Sequence, residues 1–138
     1  MRVFLDTNIL IDLIAGEAAY AEPASNIVKF LLRNKHSIFI STLSIPNTEY
    51  VTRKIVGKLH AQNALQRIGE FSTLVNSTGD VISRAILNPD FPDFEDGIQF
   101  YSAIDATVSL IVSRNVNDFK NSSIPVYAPD EFLTKFSQ

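Results

Sequence analysis

The chain has 138 residues, 46 % of them apolar and 20 % charged, a size and composition that fit one folded domain and exclude a largely disordered protein. There is no cysteine, which excludes a disulfide frame, a thiolate metal centre and a catalytic thiol, and a formal charge of −3 excludes a global basic field for gripping nucleic acid. No apolar run approaches the ~20 residues of a membrane span, and Asp6 and Asp12 interrupt the apolar start, so no membrane partner is expected and the cytoplasm is the expected compartment.

The first predicted element is a strand, Arg2-Val3-Phe4-Leu5, followed by Asp6-Thr7-Asn8 and an apolar stretch from Ile9 to Ile14. Ile27, Phe30 and Leu31 place an apolar stripe on a helix of about residues 22–34. A strand at Ser37–Ser41 leads into a helix over Leu43–Val56. A further helix at Ala61–Phe71 shows Ala64, Leu65, Ile68 and Phe71 on one face. A short strand at Thr73–Asn76 precedes a helix over Asp80–Leu87, which stops at Asn88-Pro89. Then come a mostly apolar helix at Phe94–Ala106, a strand at Ser109–Ser113, a short strand at Pro125–Tyr127, and a last helix opened by Pro129-Asp130-Glu131.

Strands that are apolar throughout, rather than alternating, are covered on both faces, as in parallel sheets. Joined by helices, they predict right-handed crossovers. The expected fold is a single α/β domain spanning 1–138, three layers α/β/α, with a central, mainly parallel sheet of about five strands. No repeat, linker or low-complexity tract divides it.

Ligands of open parallel sheets bind beyond the carboxyl ends of the strands, so the residues there carry the functional reading. Asp6-Thr7-Asn8 follows the first strand, and Ser41 and Thr42 follow the second, with Asn47 and Glu49 on the next helix. Ser113, Arg114, Asn115 and Asp118 follow the fourth, while Asp93, Glu95 and Asp96 stand where the apolar helix starts. Each group also has a plain structural role. Asp6 or Asn8 caps a helix, Asp93 is a natural N-cap with Glu95 and Asp96 suiting the positive helix end, and Asn115 and Asp118 form turns. His36 and His60 lack partners at ligand spacing and read as surface residues. The conjunction is what points to function. Carboxylates converging on one rim repel each other unless a cation neutralises them, and oxygen-only ligands select Mg2+ or Mn2+. Metal-assisted phosphodiester hydrolysis is the matching reaction class.

These residues resemble a known family. Val3-Phe4-Leu5-Asp6-Thr7-Asn8-Ile9-Leu10-Ile11-Asp12-Leu13 is similar to the opening of PIN-domain proteins, many of which are metal-dependent ribonucleases and VapC-type toxins. The similarity continues in order through Ile40–Ser44, Asp93–Gln99, Ile111–Asn115, Asp118-Phe119-Lys120 and Ile124-Pro125-Val126. The resemblance implies a PIN-like fold and three or four acids around one or two Mg2+ or Mn2+ ions, with RNA as substrate. It further implies a homodimer and a small antitoxin protein whose segment crosses the active-site groove.

Carried over by position, the resemblance makes Asp6 the first acid and Asp96 the third. The second falls on Asn47 and the fourth on Asn115, both amides where carboxylates are usual. Asp6, Asp96, Asn47 and Asn115 are thus the expected catalytic set. Metal ligands are expected from Asp6 and Asp96, with Asp93, Asp118 and Glu49 in reserve. Two helical positions lie about 200° apart, so Asn47 and Glu49 cannot both face the pocket. Asn8, Ser41 and Ser113 are expected to support the site, and Arg114 to bind RNA.

Two rivals stand beside this reading. Asp6-Thr7-Asn8 is also similar to phosphatases of the haloacid dehalogenase type, yet Asn8 stands where those carry a general acid and Leu10 where they carry Thr. The two amides would also suit a catalytically degenerate PIN domain that acts as an RNA- or protein-binding module.

Overall fold

The computed structural model describes residues 1–138. Five strands, β1 (Arg2–Leu5), β2 (Ser37–Ser41), β3 (Thr73–Val75), β4 (Leu110–Val112) and β5 (Val126–Tyr127), form one sheet in the order β3-β2-β1-β4-β5. Every pairing is parallel, with Val3 opposite Ile38 on one side and Leu110 on the other. The predicted three-layer α/β/α fold and its element order are borne out.

Seven helices flank the sheet: α1 (Thr7–Ala15), α2 (Ala18–Arg33), α3 (Ser44–Val56), α4 (Lys58–Phe71), α5 (Gly79–Leu87), α6 (Phe94–Asp105) and α7 (Pro129–Phe136). Successive strand residues point to opposite faces, and this alternation builds two cores. Val3, Leu5, Ile38, Ile40, Leu110 and Val112 pack with residues of α1, α2, α4 and α7 on one face. Phe4, Phe39 and Ile111 pack with Phe100 and Ala103 of α6 on the other, where α5 leans on α6 through Val81, Ala85 and Ile98.

The structure moves two helix starts. α2 opens at Ala18, four residues before the predicted start, because Glu17 provides an extended cap position and Ala18-Ala19 are strong helix formers; Pro23 sits inside the helix rather than at its opening. α4 starts at Lys58, and only Gly57, at φ +88°, separates it from α3. That left-handed backbone turns the chain sharply at no steric cost to glycine. His60 is exposed as expected, whereas His36 is half-buried beside Phe30, their ring centroids 5.8 Å apart.

β1 and β4 lie next to each other at the sheet centre, and both end at the same rim. Asp6 continues β1 there, its N–H donating to the Val112 carbonyl at 3.0 Å. The carboxyl ends of β1, β2 and β4 and the start of α6 therefore share one edge of the molecule.

Candidate active site

Asp6 is the centre of that edge, and it is 5 % exposed. It caps α1, its Oδ1 accepting from the Thr7 N–H at 2.8 Å and from Gln99 Nε2 at 3.1 Å. Its Oδ2 accepts from the Ser113 hydroxyl at 2.7 Å and from Asn8 Nδ2 at 3.3 Å. A carboxylate offers about four acceptor sites, so these donors occupy Asp6 fully. Burial nevertheless raises its pKa above the ordinary carboxylate range, against the lowering effect of the bonds from Ser113, Gln99 and Thr7, with the charge of Asp118 adding to the rise.

The donors are themselves held. Asn8 donates to Ser113 Oγ at 3.2 Å, and its own carbonyl oxygen accepts from the Arg114 N–H at 3.2 Å. Ser113 Oγ also accepts from the Asn115 N–H at 3.0 Å. Gln99, fully buried on α6, reaches Thr7 Oγ1 at 3.1 Å and Ser44 Oγ at 2.8 Å, and accepts from the Ser41 hydroxyl. Ser44 Oγ lies 2.8 Å from Thr7 Oγ1 and 3.1 Å from Ser41 Oγ. Asn8, Ser41 and Ser113, expected to support the site, all lie in this network. Gln99, Thr7 and Ser44 are its unexpected members.

Asp96, in the first turn of α6, is the opposite of Asp6. Burial first, and then the charges of Asp6, Asp93, Asp118 and Glu95, push its carboxyl pKa up to about 7. Half-buried and without a hydrogen-bond donor, it faces four other acids. Asp93 caps α6, its Oδ1 accepting from the Glu95 N–H at 3.0 Å. Asp118 sits in the short 3-10 turn Val116–Phe119, near enough to act on both Asp6 and Asp96. Asn115 is exposed, its side chain free of protein partners.

Two expected residues are held by partners of their own. Glu49 pairs with Arg53 at 3.4 Å along α3. Its position is as the helix geometry requires, since Asn47 faces the rim and donates to Glu95 Oε1 at 3.0 Å. Arg114 is not a free cation: Nε donates to Asp12 Oδ2 at 2.7 Å and Nη2 to Asp12 Oδ1 at 3.3 Å. Its guanidinium also lies 4.5 Å from the centroid of the Tyr20 ring. The Asp12 side chain is only 4 % exposed, and burial lifts its pKa despite the arginine. Arg114→Ala is therefore expected to cost about 2–3 kcal/mol by stranding a buried carboxylate. A urea-denaturation midpoint checks this, and adding Asp12→Asn should recover most of the loss.

The acids suit a hard cation, in a limited way. No three His, Asp or Glu side chains converge as a ready-made metal cage. Mg2+ is commonly held by one or two carboxylates with waters and phosphate oxygens completing the shell, and Asp96 with Asp6 meets that requirement.

Comparison with known proteins places this geometry in context. A sequence model of the PIN domain matches residues 2–117. Ribonuclease VapC1 of Aquifex aeolicus is 24 % identical over 99 % of this chain and 96 % of its own. Among solved structures, VapBC2 of Rickettsia felis bound to a promoter DNA fragment has a TM-score of 0.70 at 18 % identity, covering 93 % of this chain and 98 % of the other. VapC20 of Mycobacterium tuberculosis, described as a sarcin-ricin loop cleaving toxin, has a TM-score of 0.63 at 18 % identity, covering 79 % and 86 %.

Proposed function

The chain belongs to the PIN-domain family, and from that premise we propose that it is a metal-dependent ribonuclease, the toxin partner of a small antitoxin protein. The observation that carries this reading is the pairing of two unlike carboxyls: Asp6, immobilised by four donors, and Asp96, left with no donor among like charges. An arrangement this unfavourable without a counter-ion is stored at a functional rim. Bound there, Mg2+ or Mn2+ would ease deprotonation of an attacking water and neutralise charge on the phosphate.

The protein's own residues supply orientation. Ser113, Asn8 and Gln99 hold both Asp6 oxygens in place, and Asn115, whose N–H bonds the same Ser113, and Asn47, at Glu95, carry amides that can bond phosphate or ribose oxygens. Asp118 and Asp93 add negative charge around Asp96, which a bound divalent cation would neutralise. The presence of toxin–antitoxin complexes among proteins of this fold supports the antitoxin partner. Exposed Tyr50, Val51, Ile55 and Leu59 on α3 and α4 offer apolar surface for it or for a second copy in a homodimer.

The amides at 47 and 115 favour one alternative, a degenerate module that binds RNA or protein without cutting. RNA cleavage decides between them. The full chain is expected to cut single-stranded RNA with Mg2+ or Mn2+, to stop in EDTA and to recover when excess metal is added. RNA retained but never cut would establish the binding module. Because Asp6 already accepts from four donors, calorimetry is expected to find weak, single-ion binding that tightens when RNA contributes phosphate ligands; tight binding of two ions to the free protein would contradict this.

A further inference from the structure

A cleft of about 350 Å3 opens beside the acidic rim, and the cleavage chemistry makes no use of it. Tyr20 of α2 forms one side, 47 % exposed, with the Arg114 guanidinium over its ring. Asp12 fixes that guanidinium, so its plane is stationary. Pro129, at the junction of β5 and α7, lines the cleft as well, and Asp130 adds a carboxylate. Arg114 and Asn115 also line an adjoining hollow that continues to Asp118, whose charge is felt by both Asp6 and Asp96. The cleft thus runs into the candidate active site.

The lining selects its occupant. An aromatic ring, a fixed guanidinium plane and proline suit a flat ring system, and unpaired bases stack on just such groups. A phosphate is disfavoured, because Asp118, Asp130 and Glu131 line these hollows and the Arg114 charge is already matched by Asp12. An uncharged base meets neither objection, and its N–H groups can donate to Asp130. We propose that the cleft is a nucleobase subsite, which receives one unstacked base of a single-stranded RNA whose phosphate lies at the Asp6–Asp96 rim. This rests on the ribonuclease reading above.

Two fluorescent probes test it on the full chain carrying Asp96→Asn, which keeps RNA intact: a mixed-sequence RNA decamer and an abasic ribose-phosphate decamer of equal length. Tyr20→Ala is expected to weaken the RNA decamer by roughly 5- to 100-fold, with Tyr20→Phe near the parent. Affinity for the abasic decamer is expected to be the same in all three proteins. An unchanged RNA affinity in Tyr20→Ala overturns the subsite, as does an equal loss for both decamers, which would place the effect in the backbone grip or the fold. Either result leaves the ribonuclease reading standing as long as the parent binds RNA. If the native protein with Mg2+ and the parent both bind neither decamer, both readings are overturned.

Discussion

Asp96→Asn is expected to abolish RNA cleavage while making the metal-free protein more stable. The charged Asp96 has no donor and sits among Asp6, Asp93, Asp118 and Glu95, so its carboxyl is raised to about 7 from an ordinary 3.8. The folded protein therefore holds this proton more tightly than the unfolded chain does. The sign follows: stability falls as pH rises from about 4 to 7 and levels off above 7. An asparagine never ionises, so the variant lacks that contribution to the decline. Water at the half-open rim screens the repulsion and holds the gain at pH 8 to about 1–2 kcal/mol. For a chain of this length that is roughly 3–6 °C in the thermal midpoint. Saturating Mg2+ should raise the midpoint of the native protein and leave the variant's nearly unchanged. A variant less stable than the native protein at pH 8 would mean that Asp96 has a donor the structure does not show.

Much of this was legible in the residues. Strands such as Ser37–Ser41 and Ser109–Ser113 are apolar throughout because they are buried on both faces, and a parallel three-layer domain follows from that pattern. The Asp6 and Asp96 positions were readable because each stands at a chain feature with its own signal, a strand end and a helix start. Helix starts hidden by local chemistry were not. The stripe of Ile27, Phe30 and Leu31 places a helix from about residue 22, yet α2 begins earlier at Ala18.

Side-chain direction was the harder limit. Arg114 and Glu49 stand out in the sequence by their charge, but charge alone does not reveal that Asp12 and Arg53 pair with them. Helix spacing had already shown that only one of Asn47 and Glu49 could face the rim. The role of Gln99 is hidden for a different reason. On a helix as apolar as Phe94–Asp105, an isolated amide gives no periodic signal, and its role depends on three other segments that only folding brings together. A polar residue between Ile98 and Phe100 on a buried face was the one available hint, since an unpaired amide there would be costly.

That hidden residue carries the other large effect. Gln99→Glu nearly preserves shape but replaces the amide that donates to Asp6 with a second carboxyl. The new group is fully buried, as Gln99 is, and lies against Asp6 Oδ1. Thr7 and Ser44 can turn their hydroxyls to donate, but they cannot offset two adjacent anions in a dry interior. The loss at pH 8 is expected to be about 3–5 kcal/mol, the usual cost of an uncompensated buried charge. Its pH dependence distinguishes this cause from a packing defect. Burial beside Asp6 raises the folded-state pKa of the introduced Glu above its unfolded value, so the protein regains stability as pH falls below that raised pKa. Gln99→Leu, which removes the donor without adding charge, is expected to lose about 2–3 kcal/mol with little change between pH 5 and 8 from the new side chain. Urea midpoints of both variants at the two pH values provide the comparison. Equal losses for Glu and Leu at pH 8 would mean that the introduced carboxyl is uncharged there, and that the whole loss comes from the missing donor to Asp6.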